Sequence, residues 1–104
     1  MSGRFLIRFY NASARKDYER LDGSQRKLVN IALRKLETRA DELGEPLRGP
    51  LAGCKKLKWR RDGLRMVFRL GDDGAVEIVE IIAIGRRDKS AVYRRAEQRL
   101  STGE

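Results

Sequence analysis

The second half of the chain contains three stretches typical of β-strands, and turn sequences separate them. Apolar and charged residues largely alternate in the first two stretches, whereas the third is mostly apolar. A period of two residues sends successive side chains to opposite faces of a sheet. The connecting sequences Arg61-Asp62-Gly63 and Gly71-Asp72-Asp73-Gly74 are typical of tight turns. The pattern therefore predicts an antiparallel meander of three strands at Lys55–Arg61, Leu64–Leu70 and Ala75–Ile84.

The first half predicts one strand followed by two helices. Apolar residues alternate with arginines from Arg4 to Tyr10, as in a half-buried strand. A short helix is predicted over about Ala12–Leu21, and a longer one begins after a Ser24 cap and ends near Leu43. The longer helix has one apolar stripe, with residues spaced by three or four: Val29, Leu33, Leu36, Ala40 and Leu43.

A loop and a final helix complete the predicted order. Residues 45–54 contain both prolines and two glycines, so a loop is expected there. The last helix is predicted over about Lys89–Leu100, with residues 101–104 as a frayed tail. The order β-α-α-β-β-β-α predicts one α+β domain over residues 1–104. In it, a small antiparallel sheet carries an N-terminal helical hairpin and a C-terminal helix, all on one face.

The composition excludes several kinds of site. The 104 residues include no histidine, so histidine triads and histidine-ligated zinc are excluded. The single cysteine, Cys54, cannot form an internal disulfide, which fits a reducing compartment, and it is interpreted as a small packing residue. No apolar run approaches the roughly 20 residues that span a bilayer, and no signal-peptide pattern is visible. We therefore expect a cytoplasmic protein that does not bind membranes.

The positive charge is concentrated in two segments. The net charge is +9, and residues 55–69 carry seven basic residues and one acid while residues 86–99 carry six and two. Strand alternation places four of these cations on one outward sheet surface: Lys56, Lys58, Arg65 and Arg69. The same alternation predicts that Val67 faces outward with them. Such clustering favours an anion-binding surface, although the solvated side of a one-sided sheet remains an alternative. Tyr93 either packs the last helix on the sheet or offers a stacking plane for a base.

Two segments of the sequence resemble a known family. PLRG…CKKLKWRRDGLRMVFRL and EIIAIGRRDKSAVYRRAEQRL are similar to the RelE/ParE toxins of bacterial type II toxin–antitoxin modules, and most similar to the RelE branch. The resemblance implies a RelE-like microbial RNase fold and a ribosome-dependent endoribonuclease that cuts mRNA in the A site. It also implies an antitoxin partner, the ribosome and mRNA as further partners, and no metal or other cofactor. The toxin alone is expected to be a monomer that forms a larger complex with its antitoxin.

The resemblance also implies roles for particular residues. The catalytic set is Lys56, Lys58, Arg65, Arg87 and Tyr93. In the hypothesis, Lys58 removes the 2′-hydroxyl proton, Lys56 adds positive field, and Arg65 stabilises the charge that develops on phosphorus. Neighbouring cations are expected to disfavour the protonated form of the base. Arg87 would steady the phosphate and the 5′-oxygen leaving group, and Tyr93 would stack on or align the nucleotide.

Other basic residues are predicted to bind RNA or the ribosome. Arg48 occupies a basic position of the family, and Arg94, Arg95 and Arg99 lie on the last helix. The resemblance gives no specific role to four further cations, which are included for their charge: Lys55, Arg60, Arg69 and Arg86.

Two alternative functions remain open at this point. A ParE-like poison of DNA gyrase shares the fold and the antitoxin, and it performs no RNA chemistry. A non-catalytic RNA-binding domain would use the same cations only to hold phosphates.

Overall fold

The computed structural model describes residues 4–86 and 91–102, which form a five-stranded sheet with three α-helices. A 3₁₀ turn at Gly49–Leu51 lies between the second and third strands. The elements in chain order are β1 (Phe5–Phe9), α1 (Ala12–Glu19), α2 (Gly23–Arg39), β2 (Glu45–Pro46), β3 (Cys54–Trp59), β4 (Leu64–Asp72), β5 (Glu77–Arg86) and α3 (Ala91–Thr102). Among the described residues, no helix is long and apolar enough to cross a membrane.

The sheet is mixed, with strand order β1-β5-β4-β3-β2. The predicted meander of β3, β4 and β5 is confirmed, and all its pairs are antiparallel. The prediction of a wholly antiparallel sheet is wrong at one edge, because β1 runs parallel to β5. A hairpin connection would make neighbouring strands antiparallel, but two helices connect β1 to the meander, so β1 can run parallel to β5. The predicted loop also contains the two-residue strand β2, which pairs with β3.

Helix α2 both begins and ends earlier in the sequence than predicted. Asp22, rather than Ser24, is the N-cap, and it exchanges hydrogen bonds with Gln25 in a capping box. The helix ends at Arg39, and the chain then turns through Gly44, whose φ is +86°. A Cβ at Gly44 would lie 3.0 Å from the Phe68 ring, so glycine alone fits this turn and this close approach.

The described helices cover both faces of the sheet, which corrects the prediction that they share one face. The α2 stripe packs on one face against alternate residues of the strands, among them Phe5, Met66 and Phe68. On the other face, α3 buries Val67, which was predicted to face outward. A bulge leaves Ile82 without a partner on β4, and Ile82 joins this second cluster.

Two smaller boundaries differ from prediction. Gly71 and Asp72 extend β4 instead of forming a turn, and Ser101 and Thr102 continue α3 instead of fraying. Arg87 and the predicted helix start at Lys89 lie outside the described residues.

Candidate active site

Strands β3 and β4 place three cations on the sheet face that α3 covers. Lys58 pairs directly with Arg65 across the two strands, and Lys56 pairs with Val67 on the same face. All three charged side chains are only partly buried. The alternation of the sequence therefore predicts this grouping correctly.

Tyr93 of α3 completes the cluster. Arg65 donates a hydrogen bond from Nη1 to the Tyr93 hydroxyl at 2.7 Å, and its guanidinium carbon lies 5.3 Å from the ring centroid. The Lys56 ammonium lies 5.8 Å from the same centroid. The ring also packs against the apolar cluster beneath α3, so Tyr93 both anchors the helix and faces the cations. We call Lys56, Lys58, Arg65 and Tyr93 the cation cluster.

A carboxylate beside the cation cluster was missed by the sequence analysis. Glu45 on β2 pairs in register with Lys56, and its Oε1 lies 3.4 Å from the Lys58 ammonium. The Lys58 side chain is 20% exposed and that of Glu45 is 61% exposed, so the pair borders solvent. A strand of two residues is too short to show the alternation of apolar and polar residues that identifies a strand. The prolines and glycines of residues 45–54 therefore indicated a loop and gave Glu45 no role.

Several cations that were predicted to bind RNA make contacts within the fold. Lys55 points to the opposite face and donates to the carbonyls of Ala40, Asp41 and Leu43, just beyond the end of α2. This geometry gives its ammonium a capping role that the charge-based prediction did not foresee.

Arg69 is likewise paired with a carboxylate of the fold, although its side chain is 38% exposed. It pairs with Glu80 at 2.8 Å and lies 5.1 Å from the Tyr10 ring centroid. Arg8 approaches the same carboxylate at 3.5 Å. Arg69 shares a sheet face with the cation cluster as predicted, but its charge is compensated by Glu80.

The other residues predicted to bind RNA or the ribosome form two groups: some are bonded within the fold, and others are exposed on the surface. Arg95 and Arg99 donate to backbone carbonyls of β5 and pair with Asp17. Four predicted RNA- or ribosome-binding residues are exposed: Arg48, Arg60, Arg86 and Arg94. Arg87, predicted to be catalytic, lies outside the described residues.

Cys54 is buried within the apolar cluster between α3 and the sheet. Burial raises the pKa of its thiol, and the nearby positive charge of Arg69 opposes this effect. This placement agrees with the interpretation of Cys54 as a packing residue.

The cation cluster has the composition of a site for a phosphodiester. Two ammonium groups and a guanidinium can surround a phosphate, and the planar guanidinium can donate to two phosphate oxygens at once. The ring of Tyr93 adds a surface on which a base can stack. Glu45 adds a proton acceptor at the edge of the same cluster.

Comparisons with known proteins agree with this picture. No family model matches the sequence. The chain is 32% identical over 96 residues to the mRNA interferase toxin RelE of Escherichia coli strain K12, covering 88% of this chain and 93% of the relative. The crystal structure of isolated E. coli RelE matches with a TM-score of 0.67 at 28% identity, covering 92% of this chain and 98% of that one. The RelBE2 toxin–antitoxin complex of Mycobacterium tuberculosis matches with a TM-score of 0.65 at 27% identity, covering 81% of this chain and 99% of the matched chain. Because the similarity extends over most of both chains, the protein belongs to the RelE family of toxins.

Proposed function

We propose that this RelE-family toxin is an endoribonuclease that cuts mRNA in the A site of the ribosome. The observation that carries the proposal is the cation cluster, in which Arg65 is held by Tyr93 on an open part of the sheet face. Its relative in E. coli is named an mRNA interferase, which supports the same chemistry here.

The proposed reaction uses the RNA's own nucleophile. The 2′-oxygen attacks the adjacent phosphorus, the bond from phosphorus to the 5′-oxygen breaks, and a 2′,3′-cyclic phosphate and a 5′-hydroxyl result. One proton leaves the 2′-hydroxyl and one must reach the departing 5′-oxygen. The enzyme therefore has to supply a base, an acid and stabilisation of the negative charge on phosphorus.

Arg65 is the proposed stabiliser of that charge. Its guanidinium is oriented by the Tyr93 hydroxyl, so it needs little reorganisation when the charge develops. Lys56, beside the same ring, adds positive field and can donate a proton to the leaving oxygen. Arg87 remains a proposed ligand of the phosphate and of the 5′-oxygen.

Two groups compete for the role of base. Lys58 remains our proposal, but an ammonium must lose a proton before it can accept one. The Glu45 carboxylate, 3.4 Å from the Lys58 ammonium, can take that proton or can act directly on the 2′-hydroxyl. In either case the ion pair acts as the proton acceptor of the site.

The proposed partners follow from charge and from the family. The exposed arginines Arg48, Arg60, Arg86 and Arg94 are proposed to contact RNA backbone of the ribosome or of the message. A M. tuberculosis relative occurs in a toxin–antitoxin complex, which supports an antitoxin partner here. Translating ribosomes are the proposed target, and the cytoplasm is the proposed location.

The function is tested by mapping cut ends on mRNA-programmed ribosomes and on the same naked mRNA. The expected result is cutting within the A-site codon of the ribosome-bound message, with cyclic phosphate ends, and its loss in Arg65→Ala. A folded protein that cuts neither sample would contradict the proposal, and inhibition of gyrase supercoiling by that protein would support the ParE-like alternative.

The base is tested by comparing Lys58→Met with Glu45→Gln in the same assay over a range of pH. If the ion pair is the acceptor, both variants lose at least about tenfold in single-turnover rate. A normal rate in Lys58→Met, with loss only in Glu45→Gln, would transfer the role to the carboxylate. Normal rates in both would show that the base lies elsewhere.

A further inference from the structure

After Ile81, strand β5 is paired with β4 on one edge but no longer with β1 on the other. β1 pairs with β5 only from Glu77 to Ile81, and the last bond on this edge runs from the Tyr10 N–H to the Ile81 carbonyl at 2.9 Å. The chain then leaves the sheet to form α1. Because buried backbone groups need partners, the following residues of β5 must satisfy theirs in another way.

Side chains from α1 and α3 take the place of the missing strand. The Ile84 N–H donates to Asp17 Oδ2 at 3.1 Å, and the Ile84 carbonyl accepts from Arg95 Nη2 at 2.9 Å. The Ile82 carbonyl accepts from Arg99 Nη1 at 2.8 Å. Three side chains therefore complete this strand edge, and two of them come from α3.

Asp17 is the centre of this network. Its side chain is 2% exposed, and Arg99 forks onto its two carboxylate oxygens at 2.7 and 3.2 Å. Arg95 approaches the same carboxylate at 3.9 Å. A charge this deeply buried persists only with such partners, so α1, α3 and β5 are joined at one carboxylate.

The network fixes the position of α3 relative to the cation cluster. Arg95 lies two residues after Tyr93 on α3, and Gly85 pairs in register with Arg65 on β4. A Cβ at Gly85 would collide with the Arg95 guanidinium and would lie 3.1 Å from Val92, so the helix rests directly on the strand. Any shift of α3 along β5 would move the Tyr93 hydroxyl away from Arg65.

We propose that Asp17 is a positioning residue for the cation cluster. Acting through Arg95, Arg99 and Ile84, it holds α3 in the register at which Tyr93 orients Arg65. Asp17 itself does not touch the RNA. The expected effect of Asp17 on cutting rests on the proposed function. Its expected effect on the position of α3 rests on geometry alone.

A double-mutant cycle tests the proposal in the ribosome assay, with Asp17→Asn, Tyr93→Phe and the double variant. In the wild-type background, Asp17→Asn is expected to lower kcat by about tenfold and to change KM by less than about twofold. In the Tyr93→Phe background, the same change is expected to lower kcat by about twofold or less. An equal loss in both backgrounds would overturn the proposal, because a general loss of folded protein acts independently of Tyr93.

Two further variants keep the test decisive. Arg99→Lys keeps the positive charge but loses the two-pronged hydrogen bonding to Asp17. It is therefore expected to lower kcat in the same way but by less. This variant replaces Asp17→Asn if Asp17→Asn does not fold. Glu77→Gln is the control, because Glu77 is a carboxylate that pairs with Arg4 at the opposite end of β5 from Ile84. Unchanged cutting is expected for this control.

A readout that needs no activity separates the two proposals. In Asp17→Asn, amide hydrogen exchange in α3 is expected to be faster, and the nuclear Overhauser contact between the Tyr93 ring and Arg65 is expected to weaken. If the wild type cuts no RNA, the proposed function fails, while these two measurements still test the network. Unchanged exchange with an unchanged contact would overturn the positioning role.

Discussion

The sheet face that α2 covers is a continuous apolar core, whereas the face that α3 covers combines a small core with charged groups. Phe68, Met66 and Leu36 are fully buried on the first face. On the second face, Val67 is buried beneath α3, but Arg65 and Lys58 beside it border solvent.

One small domain can therefore keep stability and chemistry on separate faces of its sheet. The two faces use alternate residues of the same strands, so a substitution can alter one face while its neighbour in sequence stays in place. The α2 face is expected to determine the free energy of unfolding, and the open part of the α3 face is expected to determine cutting. Substitutions on the two faces can therefore be compared by their effects on unfolding and on cutting.

The largest expected effect is on the α3 face. Arg65→Ala removes the guanidinium that Tyr93 orients, so the single-turnover cutting rate should fall by about 10²–10³ while the thermal midpoint changes little. Arg65→Lys is the control that keeps the charge and loses the fork, and an intermediate rate is expected. Wild-type cutting by Arg65→Ala would show that the cation cluster is not the site.

The next effect is on the α2 face. Leu36→Ala opens a cavity in the core, and the free energy of unfolding measured with urea should fall by about 2–5 kcal/mol. Cutting per folded molecule should not change. Ile31, on the same helix, is 46% exposed, so Ile31→Ala should change stability by less than about 0.5 kcal/mol. A cutting rate that falls with core stability would contradict the separation of the faces.

A smaller effect is expected from the hydroxyl of Tyr93 alone. Tyr93→Phe keeps the packed ring but removes the 2.7 Å hydrogen bond to Arg65, so the cutting rate should fall by about tenfold. The thermal midpoint should change by only a few degrees. Tyr18→Phe, which removes the 2.5 Å hydrogen bond from the Tyr18 hydroxyl to Asn30, should leave cutting unchanged.

The smallest effect concerns the N-cap of α2. Hydrogen bonds from the Gln25 backbone and from Ser24 lower the pKa of Asp22 in the folded state. A lowered folded-state pKa means that this stabilisation is complete above the unfolded value, about 3.9, and is lost as pH falls through the folded value. The stability difference between wild type and Asp22→Asn should therefore decrease below about pH 4, as chemical denaturation can show. A difference that grows on acidification would contradict the sign of the shift.

The sequence predicts most of the fold, because alternation and turn signals are local. The strand patterns located β1 and the meander, and the α2 stripe identified the residues of the main core. Val67 was misplaced, although an apolar residue at an outward position is itself the signal of a second covered face. The parallel pairing of β1 with β5 depends on how the helices return the chain, which no local pattern encodes.

The grouping of the cations was predicted as far as they lie on regular strands. Lys56, Lys58 and Arg65 follow from alternation, whereas the contact between Tyr93 and Arg65 depends on how α3 crosses the sheet. Asp17 reads as an ordinary solvated helix residue in the sequence, because its partners are 67 and 82 residues away along the chain. Burial of such a charge is decided by tertiary packing and not by local pattern.

The cation cluster is proposed to promote attack by the 2′-hydroxyl of RNA. The most direct test uses ribosomes programmed with an mRNA that carries one 2′-deoxy nucleotide on the 5′ side of the mapped cut, with the unmodified message as the control. This single change is expected to abolish cutting at that bond while toxin binding to the ribosome is retained. Cutting at an unchanged rate would contradict the proposed mechanism, because the nucleophile would then come from another source.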